Sequence, residues 1–244
     1  MGHGAPLLAL DPGRSEPLLR WGRALPRPRA VLAVSAHWEG TPLTLGTTRT
    51  RDLVYDFSGF PDELYRVRYP APPAPEVALR VESLAGPVAR SDRGLDHGVW
   101  TPLVHLVPRA DVPVLQLSMP RSATSSWLFD LGRRLAPLRD EDVLLLASGN
   151  LVHNLSRASW GEPAPPPPWA EAFDSWIRGV LERRDLDALL DYERRSPDVE
   201  EAHPTREHFR PLLVAAGAGA EDGVTFPVTG WEMGSISRRS AQFG

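Results

Sequence analysis

The 244-residue chain contains no cysteine and no lysine; each of its 27 basic residues is arginine. Without thiols there is no cysteine nucleophile, disulfide, iron–sulfur cluster or thiolate zinc site. Without lysine there is no Schiff-base chemistry, no lysine-bound pyridoxal cofactor and no P-loop. Histidine, carboxylate, hydroxyl and metal are what remain for catalysis. Long apolar runs are missing too, since none approaches the roughly 18 residues of a membrane helix. The N-terminus lacks the basic and apolar regions of a signal peptide, so a cytoplasmic location is expected. The 27 arginines face 31 acidic residues, for a formal charge of −4, with no basic block. That balance argues against a nucleic-acid surface.

Proline is plentiful, at 26 residues, about twice the usual share, which predicts long loops. A chain that is 42% hydrophobic and 24% charged suits a single α/β domain over residues 1–244 with a real core. Its organising stretch is Arg29 to Trp38. Ala30 to Val34 reads as a strand buried on both faces, ending in the small pair Ser35-Ala36 and then presenting His37. Ligands of open α/β sheets sit at the carboxyl ends of strands, so His37 is a site candidate. Asp142 to Ala147 is a second such strand, followed by Ser148-Gly149-Asn150-Leu151-Val152-His153. Val112 to Met119 is a third.

Helices are predicted at 15–25, with Ser15 as N-cap and Pro17 in the first turn, at 75–84, and from Asp96-His97-Gly98 through Leu106. Others are predicted at 122–135, with Trp127, Leu128, Leu131 and Leu135 facing the core, at 169–184 and at 185–194. A last helix opens at His203-Pro204-Thr205 with Thr205 as N-cap, places His208 in its first turn and runs to about Ala218. Residues 224–228 and 235–243 read as two closing strands. The stretch from Thr41 to Pro75 is long, aromatic and polar, which suits a functional covering loop, and 162–168 is an irregular proline-rich segment.

Histidines recur in similar settings: His37 and His153 follow buried strands, His208 sits at a helix start, and His3 and His97 each precede a glycine. Glycine beside a functional histidine permits close backbone approach. Separated imidazoles without thiolates suit a nitrogen-rich site for Zn(II) or Fe(II), which leaves metal hydrolysis and oxygenation both open. His105 and His203 read as packed structural residues.

The ordered set His3-Gly4-Ala5-Pro6, Ser35-Ala36-His37-Trp38, Asp56-Phe57-Ser58-Gly59-Phe60-Pro61, Asp96-His97-Gly98-Val99-Trp100, Ser148-Gly149-Asn150-Leu151-Val152-His153-Asn154 and Pro204-Thr205-Arg206-Glu207-His208 resembles one family. It is the class III extradiol ring-cleavage dioxygenases, in their bacterial and plant 4,5-DOPA dioxygenase-like branch. The likeness runs to the closing Gly230-Trp231-Glu232-Met233-Gly234-Ser235. It implies a mostly parallel sheet flanked by helices and a metal held by His3, His37 and His208. It also implies His153 as acid/base and possible additional ligand, and His97 as a partner of substrate or oxygen. Glu207 is the less favoured third ligand, by analogy with the protocatechuate branch.

The implied reaction is Fe(II)-dependent insertion of O2 into a small diphenol to give a muconic semialdehyde-type product, with Zn(II) plausible in isolated protein. The loop from Tyr55 to Tyr69 is expected to cover the substrate. The competing expectations are a zinc hydrolase on the same histidines and a Memo-like binding protein. Family members carry a strand ahead of the His-Gly motif, so a start upstream of Met1 and a weakly held His3 are expected.

Overall fold

The computed structural model describes residues 1–46, 49, 51–160 and 164–244. After a 3-10 turn at Pro6–Leu10, helix α1 spans Pro12–Ala24. It starts earlier than Ser15 because Asp11 is the cap: its Oδ1 accepts from the Arg14 amide at 2.9 Å. Ser15 is inside the helix and donates back to the Asp11 carbonyl at 2.7 Å. Strand β1 (Ala30–Glu39) follows, then the short β2 (Thr44–Leu45), helix α2 (Pro75–Ala85) and β3 (Ala89–Arg90). Helix α3 is His97–Leu106, strand β4 Val114–Met119, helix α4 Ser125–Leu135 and strand β5 Val143–Ser148.

Helix α5 (Pro168–Arg183) agrees with its expected bounds, whereas the region after it splits into α6 (Leu186–Leu190) and α7 (Tyr192–Arg195). Helices α8 (Val199–Ala202) and α9 (Arg210–Ala218) come next. Helix α9 begins beyond the expected Thr205 cap. Pro211 stands in its first turn, where a missing N–H costs nothing, and Thr205 instead donates to Glu207 Oε1 at 2.9 Å. The end of the chain forms β6 (Val224–Val228), β7 (Trp231–Glu232), β8 (Ile236–Ser237) and β9 (Ser240–Phe243). The expected strand at 235–243 is therefore broken, and its second half pairs antiparallel with β6. Of the proline-rich segment, 162 and 163 lie outside the described residues.

The central sheet has the order β3-β2-β4-β1-β5, with β1 parallel to both β4 and β5 and only β2–β4 antiparallel. This is the expected α/β class. Side chains alternate across β1: Ala30, Leu32 and Val34 join the core under α2, α4, α5 and α9, while Val31 and Ala33 join the core under α1 and α3. Leu128, Leu131 and Leu135 of α4 are fully buried, and Trp127 packs partly buried against them. A groove of about 730 Å³ runs along the outer edge of β5 past Trp21, Leu25 and Phe243, and no histidine lines it.

Candidate metal centre

The pairing of β1 with β5 ends at Ser35–Ser148, and its register with β4 shifts between Val34 and Glu39. His37 stands in that irregular stretch, at the carboxyl end of the sheet. Residues 1–3 lie along the end of β5, where the His3 amide donates to the Gly149 carbonyl at 3.1 Å. The His3 side chain is 2% exposed and its Nδ1 meets Ser148 Oγ at 2.9 Å. His3 is thus held firmly, contrary to the expectation. His97 opens α3, while His153 and His208 come from the loops after β5 and before α9.

Two glycines let these segments converge. A Cβ on Gly98 would stand 2.6 Å from Ser35 Oγ and 2.9 Å from His37 Cδ2. A Cβ on Gly149 would run into the His208 carbonyl, whose oxygen accepts from the Asn150 amide at 3.0 Å.

Ring centroids of His37 lie 4.0 Å from His97, 5.0 Å from His208 and 5.1 Å from His3. The His153 ring stacks on His208 at 3.5 Å. The tightest donor sets are His3, His37 and His97, and separately His153, Glu207 and His208, each within 4.8 Å. The resemblance grouped His208 with His3 and His37; the structure instead puts His97 in their compact set and His208 in the neighbouring one with His153 and Glu207. It sends the other two histidines elsewhere: His105 bonds the Leu8 carbonyl and His203 the Leu151 carbonyl, each at 2.8 Å.

Most site rings are tethered at Nδ1. Ser148 Oγ donates to the Gly98 carbonyl, which makes it an acceptor for His3 Nδ1–H. Asp56 takes Nδ1 of His37 at 3.2 Å and of His97 at 2.8 Å. Glu207 takes Nδ1 of His208 at 2.8 Å. Their Nε2 atoms are left as bare acceptors, and such outer partners are what orient metal-binding imidazoles. Among the described residues His153 has no such tether.

Sequence reasoning missed the roles of Asp56 and Ser148, although both stand in the quoted motifs. Asp96 occupies the cap position of α3, but its side chain accepts from Ser35 Oγ at 2.8 Å and Gln116 Nε2 at 2.5 Å rather than from the helix.

Burial, reinforced by neighbouring rings, pushes His3 and His208 well below the ordinary histidine range. Burial takes His153 down to about 3. It also lowers His97, outweighing the hydrogen bond to Asp56. Burial works to raise the Asp56 carboxyl, but bonds from His37 and His97 prevail and hold it far below the usual carboxylate range. His3, His97, His153 and His208 are therefore neutral near pH 7, with lone pairs free for a cation.

A metal fits these residues. His208 Nε2 is buried without a partner, a situation native proteins rarely leave unexplained. His3 Nε2 and His37 Nε2, both bare, face each other at 3.3 Å. Two nitrogens bound about 2.1 Å from one tetrahedral ion lie at about that separation.

Residues 12–244 match the family model described as the catalytic LigB subunit of aromatic ring-opening dioxygenase. The chain belongs to this family. A relative from Escherichia coli K12 named 4,5-DOPA dioxygenase extradiol is 40% identical over 100% of this chain and 93% of its own length. One of the same name from Beta vulgaris is 38% identical, over 100% and 94%. The crystal structure of an uncharacterized Escherichia coli K12 protein superposes with a TM-score of 0.81 at 36% identity, covering 94% of this chain and 92% of that one. This LigB-family chain is thus an oxidoreductase of the extradiol dioxygenase type. His3 precedes the family-model match but lies within the full-length alignments. No helix among the described residues is long and apolar enough to cross a membrane.

Proposed function

We propose that this LigB-family protein uses Fe(II) to open the ring of a small catechol-type diphenol, DOPA-like or related, with O2, giving a muconic semialdehyde-type product. One observation carries this: Nε2 of His3 and Nε2 of His37 face each other at 3.3 Å, and the His208 ring stands 5.4 and 5.0 Å from theirs by centroid. The buried Nε2 of His208 has no partner, and its ring is stacked on a His153 ring that has no hydrogen-bond tether among the described residues. His3, His37 and His208 are the ligands in this reading, and Glu207 tethers His208. Zn(II) suits the same nitrogens and is expected in purified protein, since divalent affinities favour zinc over iron.

When bound, Fe(II) supplies Lewis acidity toward the diphenol oxygens and an electron path from the ring to O2. The chain's residues do the rest. His153 is neutral and untethered, so it is free to take a proton from a diphenol hydroxyl, an effect typically worth about 10²–10⁴-fold. The His153 ring lies stacked face to face on that of His208, and in this reading it would do acid/base work beside the ligands that hold the metal. His97 presents Nε2 to the same space, and Asp56 steadies its ring in either protonation state. Phe57 meets His97 edge-on at 5.5 Å, with Phe60 and Tyr65 packed around it. In this reading that apolar wall receives the aromatic ring and keeps bulk water out.

The test is anaerobic loading with Fe(II), then exposure to O2 and a catechol panel including DOPA. Oxygen uptake coupled to a yellow ring-opened product is expected. Full iron occupancy without uptake on any catechol would overturn the proposal.

A further inference from the structure

We infer that Asp56 is a positioning residue for this site: its one carboxylate holds the Nδ1–H of both His37 and His97 and so sets which nitrogen of each ring faces the substrate space. The inference rests on the metal-site reading above. Oδ2 lies 3.2 Å from His37 Nδ1, while Oδ1 lies 2.8 Å from His97 Nδ1 and 3.2 Å from the His97 amide. Every group the carboxylate meets there is a donor. The His97 amide also belongs to the first turn of α3, where free N–H groups and the helix dipole favour an anion. An ionised carboxylate only accepts, so both rings must carry their proton on Nδ1.

The other tethers serve one ring each: Ser148 for His3 and Glu207 for His208. Asp56 serves two, and these come from different elements, β1 and α3. Its own position is fixed by neighbours outside the cluster. The Val54 amide donates to the Leu95 carbonyl at 2.8 Å, Trp100 Nε1 donates to the Val54 carbonyl at 3.2 Å, and Tyr55 OH donates to the Val67 carbonyl at 2.7 Å. Phe57 packs against Tyr65 and Trp100 on the other side. The covering loop therefore delivers a fixed carboxylate to a proposed ligand and to a proposed substrate partner at once. A shift of one ring is felt by the other through the shared group.

Asparagine is the informative replacement, because it keeps the shape but has one acceptor oxygen and one donor NH2. In Asp56→Asn only one ring keeps an acceptor for Nδ1–H. The amide NH2 presses the other toward the opposite tautomer, with its proton on Nε2 and no lone pair facing inward. The experiment uses the full chain labelled with 15N-histidine, with His37→Gln and His97→Gln spectra for assignment. Tautomers are read in metal-free protein, Zn(II) affinity by chelator competition, and ring-opening kcat and KM after iron loading; the thermal midpoint controls for folding.

Wild type should show Nδ1–H at both rings. Asp56→Asn should convert one. If that ring is His37, Zn(II) affinity falls about 10–100-fold, the range of lost outer-sphere partners. If it is His97, affinity holds while kcat falls at nearly unchanged KM. Both rings remaining Nδ1–H, with affinity and kcat within about twofold of wild type, would overturn the inference. Wild type that binds no Zn(II) would instead defeat the metal reading, and the tautomer spectra would still decide the role of Asp56.

Discussion

The imidazole of His153 lies flat on that of His208, with centroids 3.5 Å apart and planes within 6°. The two rings nevertheless differ in attachment. His208 is tied to Glu207 and has a buried, unpartnered Nε2, whereas the His153 ring has no hydrogen-bond tether among the described residues. In the proposed reading the first would hold the metal and the second would exchange a proton.

This predicts opposite kinds of damage from the two alanine variants. His153→Ala should bind Zn(II) within a few-fold of wild type but lose about 10²–10⁴-fold in kcat. His208→Ala should lose metal affinity by more than the 10–100-fold typical of outer-sphere changes. Chelator competition and steady-state rates on the iron-loaded enzyme check both.

Glu207 separates tether from ligand. As the tether of His208, its replacement in Glu207→Ala should weaken Zn(II) binding by about 10–100-fold. A loss as large as that of His208→Ala would make it a ligand instead. Glu207 also lines, with Glu39, Arg121 and Arg210, a cleft of about 670 Å³ to which no histidine contributes.

Gly98 has no room for a methyl group. In Gly98→Ala the new Cβ meets Ser35 Oγ at 2.6 Å and His37 Cδ2 at 2.9 Å. Overpacking of this sort costs about 1–3 kcal/mol. Denaturant unfolding of the metal-free variant should show that loss, and the displaced His37 should weaken Zn(II) binding in parallel.

Acid should destabilise the metal-free protein in a defined window, partly through His203. Burial lowers this histidine from 6.5 to about 4. Between those values the unfolded chain takes up a proton that the folded one refuses, so stability is complete above pH 6.5. It falls as pH drops and levels off near pH 4. The contribution is about 3 kcal/mol at 1.36 kcal/mol per unit. His203→Gln, compared with wild type by chemical denaturation at pH 4.5 and pH 7.5, should show a smaller drop.

Much of this was legible in the sequence, for physical reasons that differ by element. Val31, Leu32, Ala33 and Val34 announce a two-faced strand because each face needs apolar side chains. Glycine beside His97 announces close approach. The ends of helices were harder: Ser15 looks like a cap, but Asp11 ahead of Pro12 was the better one, and Pro211 outranked Thr205. The tethers were invisible for another reason. That Asp56 meets His37 and His97, or that Ser148 meets His3, depends on contacts between segments up to 145 residues apart, which no local pattern encodes.

The nitrogens that converge in the fold are scattered along the chain, with His3 near one end, His37 34 residues on and His208 near the other end. An ion gripping all three would close large loops in the manner of a cross-link. The entropy that such closures remove belongs to the unfolded chain. A sequence with no cysteine has no covalent staple to offer; here the metal would take that place. Each tenfold of free metal above its dissociation constant would add about 1.4 kcal/mol to the stability of the whole fold.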